Sequence, residues 1–146
     1  MIAEIQAYVR ALDEIERDFD SIILDLVRDH EKEVLAMNTD DQLFEGKDAE
    51  NRTLKPPYSQ GYKRFKRSRG LPTDRVTTRL DGDYHESFFI TYGTDEFTID
   101  AKDFKKPFLE KRYGSNLSGL TSENIDKLSA LLAPELLEVI RRRLLK

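Results

Sequence analysis

The chain has 146 residues, 38% of them hydrophobic and 36% charged, with eight Phe, six Tyr, no Cys and a formal net charge of −4. That length supplies one ordinary domain around a single core, and the missing cysteines exclude disulfides, thiolate metal sites and cysteine nucleophiles. No apolar run approaches the roughly 20 residues of a membrane span, and no basic segment followed by an apolar block opens the chain, so a soluble, non-exported protein with no membrane contact is expected.

The small net charge hides a strong polarity along the sequence. Residues 1–50 carry five Lys or Arg against fifteen Asp or Glu, residues 51–80 nine against one, and residues 81–146 ten against twelve. Oppositely charged blocks pair either within one chain or between copies of it.

From the N-terminus, Ile5, Tyr8, Leu12, Ile15, Phe19, Ile22 and Leu26 recur at spacings of three and four, which predicts an amphipathic helix over residues 1–36. About 33 residues rising ~1.5 Å each make a rod of roughly 50 Å, longer than a domain of this size covers by itself. Part of it is expected to pack either on another chain or along the protein's own sheet. Ile5, Leu12, Phe19 and Leu26 mark the seam available for core or oligomer contacts. The pattern stops at AMNTDDQ, where Asn38, Thr39, Asp40 and Asp41 favour bonds to backbone outside a helix. Residues 42–72 read as two short extended pieces around a polar turn, closed by Pro56-Pro57, and then an irregular or partly helical basic loop.

Residues 76–100 supply the sheet. Val76 to Leu80 is β-rich, Asp81-Gly82 breaks it, His85 to Tyr92 places Phe88, Ile90 and Tyr92 on one face, and Phe97 and Ile99 alternate with polar neighbours. Two or three antiparallel strands are predicted, with QLFEG as a further partner. FLEKRYGSNLSGL reads as an ordered loop leading to an N-cap at Thr121 or Ser122. Ile125, Leu128, Leu132, Leu136, Ile140 and Leu144 then predict helix over residues 121–146, kinked or divided in two at Pro134. Arg141, Arg142 and Arg143 suit the negative end of that helix. The fold class is α+β: one domain, 1–146, with a long N-terminal helix and C-terminal helix or helices packed on a small antiparallel sheet, plus a basic excursion.

Catalytic signals are sparse. In DGDYHE, Asp83 and His85 would share one face of a strand, the best available metal or acid–base pair, but no second histidine is placed to complete a ligand set. A turn followed by a surface strand is the ordinary reading. The sequence holds no phosphate-binding GxxxxGK[ST], no GxSxG and no HExxH, and EGKDAEN lacks the alternating acids of a calcium loop. No catalytic residue, metal ligand or cofactor is expected, and the protein reads as a non-enzyme.

The stretch YKRFKRSRG gathers Lys63, Arg64, Lys66, Arg67 and Arg69, with Tyr62 and Phe65 interleaved. Such cations neutralise phosphates while the aromatics stack on bases, or they dock an acidic protein surface. In a third reading Tyr62 and Phe65 fasten an otherwise solvated loop to the core.

The order of segments carries a resemblance. The long N-terminal helix, then LFEGKDAENRTLKPPYSQGYKRFKRSRG, then RLDGDYHESFFITYG, then FLEKRYGSNLSGLTSENIDKL running into a terminal helix, resembles the virion morphogenesis and tail-completion proteins of tailed bacteriophages. Asn51, Asp81 and Tyr84 stand where that family usually has Gly, Thr and Leu. The resemblance implies a non-enzymatic α+β subunit of a ring at the head–tail joint, found in the virion and, during assembly, in the host cytoplasm. Its implied partners are copies of itself and other neck or tail proteins, with the basic loop facing an acidic surface or DNA. A small nucleic-acid-binding protein using residues 62–69 is the alternative.

Overall fold

The apolar stripe of the N-terminal segment winds into α1 (Ile2–Asp29) in the computed structural model, which describes residues 1–145. His30, at φ −111° and ψ 25°, breaks the helix, and α2 (Glu31–Asn38) resumes it. The chain does not leave the helix at AMNTDDQ as expected: Thr39–Leu43 continues it as a π-helical turn. The polar side chains there do bond backbone, but that of a distant segment. Asn38 donates to the Leu117 carbonyl (2.9 Å) and accepts from the Gly119 amide (2.7 Å). Gln42 donates to the Gly119 carbonyl (2.8 Å) and accepts from the Thr121 amide (2.9 Å) and the Asn124 side chain (2.7 Å). Both amides are buried, so every one of these bonds is made away from water, where an unmade one is costly.

Residues 42–57 do not form two extended pieces. A single bridge joins Lys47 to Thr53 around a turn that includes Asn51 at φ 62°, a left-handed conformation Asn tolerates. The basic loop is a helix, α3 (Gln60–Ser68), started by Ser59, whose hydroxyl accepts from the Tyr62 amide at 3.2 Å. Val76–Leu80 is irregular rather than a strand, with Thr78 at φ 54°, and α4 (Asp83–Glu86) is a short helical turn. The sheet has two strands, β1 (Phe88–Tyr92) and β2 (Phe97–Ala101), antiparallel with Ile90 opposite Ile99; QLFEG takes no part in it. The expected loop after Lys105 contains α5 (Lys106–Tyr113), with Pro107 in its first turn where no amide donor is needed. Thr121 caps α6 (Ser122–Leu144) by accepting from the Asn124 amide at 3.2 Å, and α6 runs as one helix through Pro134.

The core gathers Ile22, Leu26, Val27 and Val34 from the first two helices, Leu43 from the π-helical turn, Phe88, Ile90 and Ile99 from the strands, Leu117, and Leu128 and Leu132 from α6. Each such side chain contributes about 1.5–3 kcal/mol by leaving water. The helices α1 and α6 lie antiparallel: His30 meets Glu135 at 2.8 Å, and Asp18 meets Arg143 at 2.9 Å. The hydrogen bond to Glu135 raises the His30 pKa above its ordinary value.

Candidate interaction surface

Helix α3 sorts its cations by where its turns face. Lys66, expected as a free cation, is fully buried. Its ammonium donates to the Tyr58 hydroxyl (3.0 Å), the Thr77 hydroxyl (3.1 Å) and the Arg79 carbonyl (3.0 Å), and lies 4.4 Å from the centre of the Tyr58 ring. These three acceptors use all three ammonium hydrogens, and no carboxylate lies within salt-bridge distance among the described residues. Lys66 is therefore a structural pin that holds the irregular segment 77–79 under α3, and it leaves the set of candidate contact residues. Tyr58 also accepts from the Thr77 amide at 3.0 Å. Burial pushes its hydroxyl pKa up, but the bonds from Lys66 and Thr77 outweigh burial and lower it.

The other cations stay outside. Arg64, Arg67 and Arg69 are exposed, Lys63 is half-buried, and none of the four forms an ion pair among the described residues. Arg69 lies over the Phe65 ring at 4.8 Å. Tyr62 and Phe65 are themselves exposed, so they are not the anchors of the segment; Tyr58 and Lys66 are.

Beside α3 opens a cavity of about 400 Å³, walled by Tyr58, Tyr62, Tyr84 and Tyr113, with Arg79, Lys105 and Arg112 at its edge. Lys105 is paired with Asp81 at 3.1 Å, whereas Arg79 and Arg112 face no carboxylate within salt-bridge distance among the described residues. The bond to Lys105 and the Asp83 backbone amide hold the Asp81 carboxyl below its ordinary pKa, the backbone bond being the larger influence. Tyr84 is buried and its hydroxyl has no hydrogen-bond partner. Burial raises its pKa, and the charges of Glu110, Asp100 and Asp103 add to that, so the hydroxyl keeps its proton.

The seam on α1 divides in two. Leu26 lies in the core with Ile15 and Ile22 buried nearby, but Ile5, Leu12 and Phe19 are 55%, 52% and 40% exposed. At about 100° per residue, Ile5, Tyr8, Leu12 and Phe19 fall within roughly 60° of one another, on the same stripe as the buried positions. Glu4, Ala7, Tyr8 and Ala11 line a groove with Arg143, Leu144 and Leu145, while Ile5, Val9 and Leu12 are exposed.

Asp83 and His85 do not share the face of a strand as expected. Both lie on α4 instead of a strand, and no cluster of three His, Asp or Glu able to hold a metal occurs among the described residues. His85 Nε2 meets the Thr77 carbonyl at 3.0 Å and the Thr78 hydroxyl at 2.9 Å, and burial lowers its pKa to about 4. Sequence reasoning missed Arg79, Tyr84 and Arg112. Tyr84 sits inside the DGDYHE stretch that drew attention for its acids, and the only signal for it was an aromatic residue amid polar neighbours.

No family model, curated protein or solved structure matches this chain.

Proposed function

We propose that the chain is a structural subunit that assembles with copies of itself, of the kind that forms a head–tail connector or tail-completion ring in tailed-phage virions. The observation that carries this reading is the apolar stripe of α1 running past its cover, which leaves Ile5, Val9, Leu12 and Phe19 in water. An exposed stripe continuous with a core seam is the usual mark of a surface made for a protein partner. Charge supports a second copy as that partner. Of the pairings open to the two charged blocks, only Glu50 with Arg52 and Glu45 with Arg75 form among the described residues. Asp13, Glu14, Glu16 and Asp20 on α1 form no ion pair among the described residues, nor do Lys63, Arg64, Arg67 and Arg69 on α3. A contact between unlike patches repeats from copy to copy and closes into a ring when the rotation allows. In the virion, the remaining faces of such a ring would meet other neck or tail proteins.

The free cations of α3 also favour a second reading, binding of single-stranded nucleic acid. Light-scattering mass of the full chain separates the two. A multiple of the monomer mass is expected for the wild type, and a smaller mass for Lys63→Ser/Arg64→Ser/Arg67→Ser, a variant that leaves Lys66 in place so that α3 stays seated. A wild-type chain that remains monomeric at high concentration yet binds an oligonucleotide with strong salt dependence replaces the first reading by the second.

A further inference from the structure

We infer that the tyrosine-walled cavity beside α3 is the receptor for the outer part of α1 from a second copy, so that Leu12 or Phe19 enters it while the acids beside them meet Arg79 and Arg112. The inference rests on the assembly reading above and names the site that assembly uses.

Three observations converge on this cavity. Its wall is aromatic and its volume of about 400 Å³ suits one or two large side chains. Behind that wall sits the Lys66 ammonium, buried and hydrogen-bonded only to uncharged acceptors, so its positive charge is uncancelled by any nearby carboxylate. Taking a charge out of water without a counter-ion is costly, and an anion brought to the cavity from outside recovers part of that cost. At the mouth, Arg79 and Arg112 are exposed, and Arg112 spends only its Nε, on the Tyr113 hydroxyl at 3.2 Å.

The occupant these features ask for is an apolar or aromatic side chain with carboxylates next to it. The outer stretch of α1 presents that combination: Leu12 and Phe19 lie on one stripe, with Glu16 a turn away from both. The larger groove in the molecule, about 620 Å³ between α1, β2 and α6, has no charged side chain among its lining residues, so nothing about it selects an acidic helix.

Charge exchange tests the assignment in the full chain by sedimentation velocity, with circular dichroism as the check on folding. Arg79 and Arg112 are surface groups, so their substitution spares the core. Arg79→Glu/Arg112→Glu is expected to weaken self-association at least about tenfold, as Glu16→Lys does alone, because complementary charges become like charges across the contact. Combining Arg112→Glu with Glu16→Lys is expected to restore most of the association. If Arg79→Glu/Arg112→Glu associates like the wild type while Ile5→Ser/Leu12→Ser does not, the cavity is not the receptor and the assembly reading survives. If both variants associate like the wild type, the assembly surface itself lies elsewhere. Loss of oligonucleotide binding with unchanged mass in the cavity variant assigns the cavity to nucleic acid and overturns the inference.

Discussion

Lys66 and His85 have environments opposite to those their residue types suggest. Lys66 lies in a run of five cations and is the one that goes inside, because its stem reaches three acceptors on Tyr58 and the segment 77–79. Hydrophobic patterning cannot announce this, since the apolar neighbours Tyr62 and Phe65 are the ones left exposed. His85 is held neutral. Its Nε2 hydrogen is given to the Thr77 carbonyl, so a second proton would go to Nδ1, which is buried without a partner. Burial accordingly lowers its pKa from 6.5 to about 4. The folded pKa lies below the unfolded one, so the neutral-histidine contribution is complete above pH 6.5 and is lost as pH falls toward 4. A gap of that size amounts to about 3 kcal/mol. His30, raised by its bond to Glu135, has the opposite sign: its contribution is present below pH 6.5 and fades as pH rises through the folded pKa. We expect urea midpoints to fall between pH 7 and pH 4.5 more steeply in the wild type than in His85→Gln, and the His85 ring resonances to titrate well below pH 6. Equal slopes in the two proteins would mean that His85 is as easily protonated folded as unfolded.

At the scale of elements, what the sequence announced was whatever has a long apolar period: α1, the Phe88 and Phe97 strands, and α6 with its Thr121 cap. The π-helical turn and α5 escaped, and α3 was legible only as an irregular or partly helical excursion, because polar side chains decide them. Asn38 looked like a helix breaker and Gln42 like the start of an extended piece, yet their hydrogen bonds go to the loop 117–121, a contact some 80 residues away along the chain that no local window contains. That loop sets where α6 begins, so the two amides tie the first helical run to the last. Replacing Gln42 by Leu keeps the volume roughly constant but leaves the Gly119 carbonyl and Thr121 amide without partners in a buried place. A loss of about 3 kcal/mol in chemical denaturation is expected. A loss below about 1 kcal/mol would show that water or Asn124 takes over those bonds. The candidate surface was legible in part by the same logic. Charge blocks and an overlong stripe are visible in composition and spacing, whereas the cavity beside α3 is assembled from three separate stretches, 58–62, 78–84 and 105–113.

For the whole molecule, the α1 stripe changes character along its length. Ile22 and Leu26 lie in the core, whereas Ile5, Leu12 and Phe19 meet water. Folding and assembly should therefore respond to different substitutions on the same face. Ile22→Ala removes buried methyl groups from the core and is expected to cost about 3 kcal/mol of stability at any protein concentration. Ile5→Ser/Leu12→Ser removes side chains already half in water, so the dilute monomer should unfold within about 0.5 kcal/mol of the wild type. The difference between wild type and that double variant appears when the protein is concentrated. Association stabilises the folded state by mass action, so the wild-type melting temperature should climb between dilute and concentrated samples. The double variant should melt at one temperature throughout. Ile22→Ala, which spares the outer stripe, should start lower and climb by as much as the wild type. A wild-type melting temperature independent of concentration would place the exposed stripe outside any contact between copies.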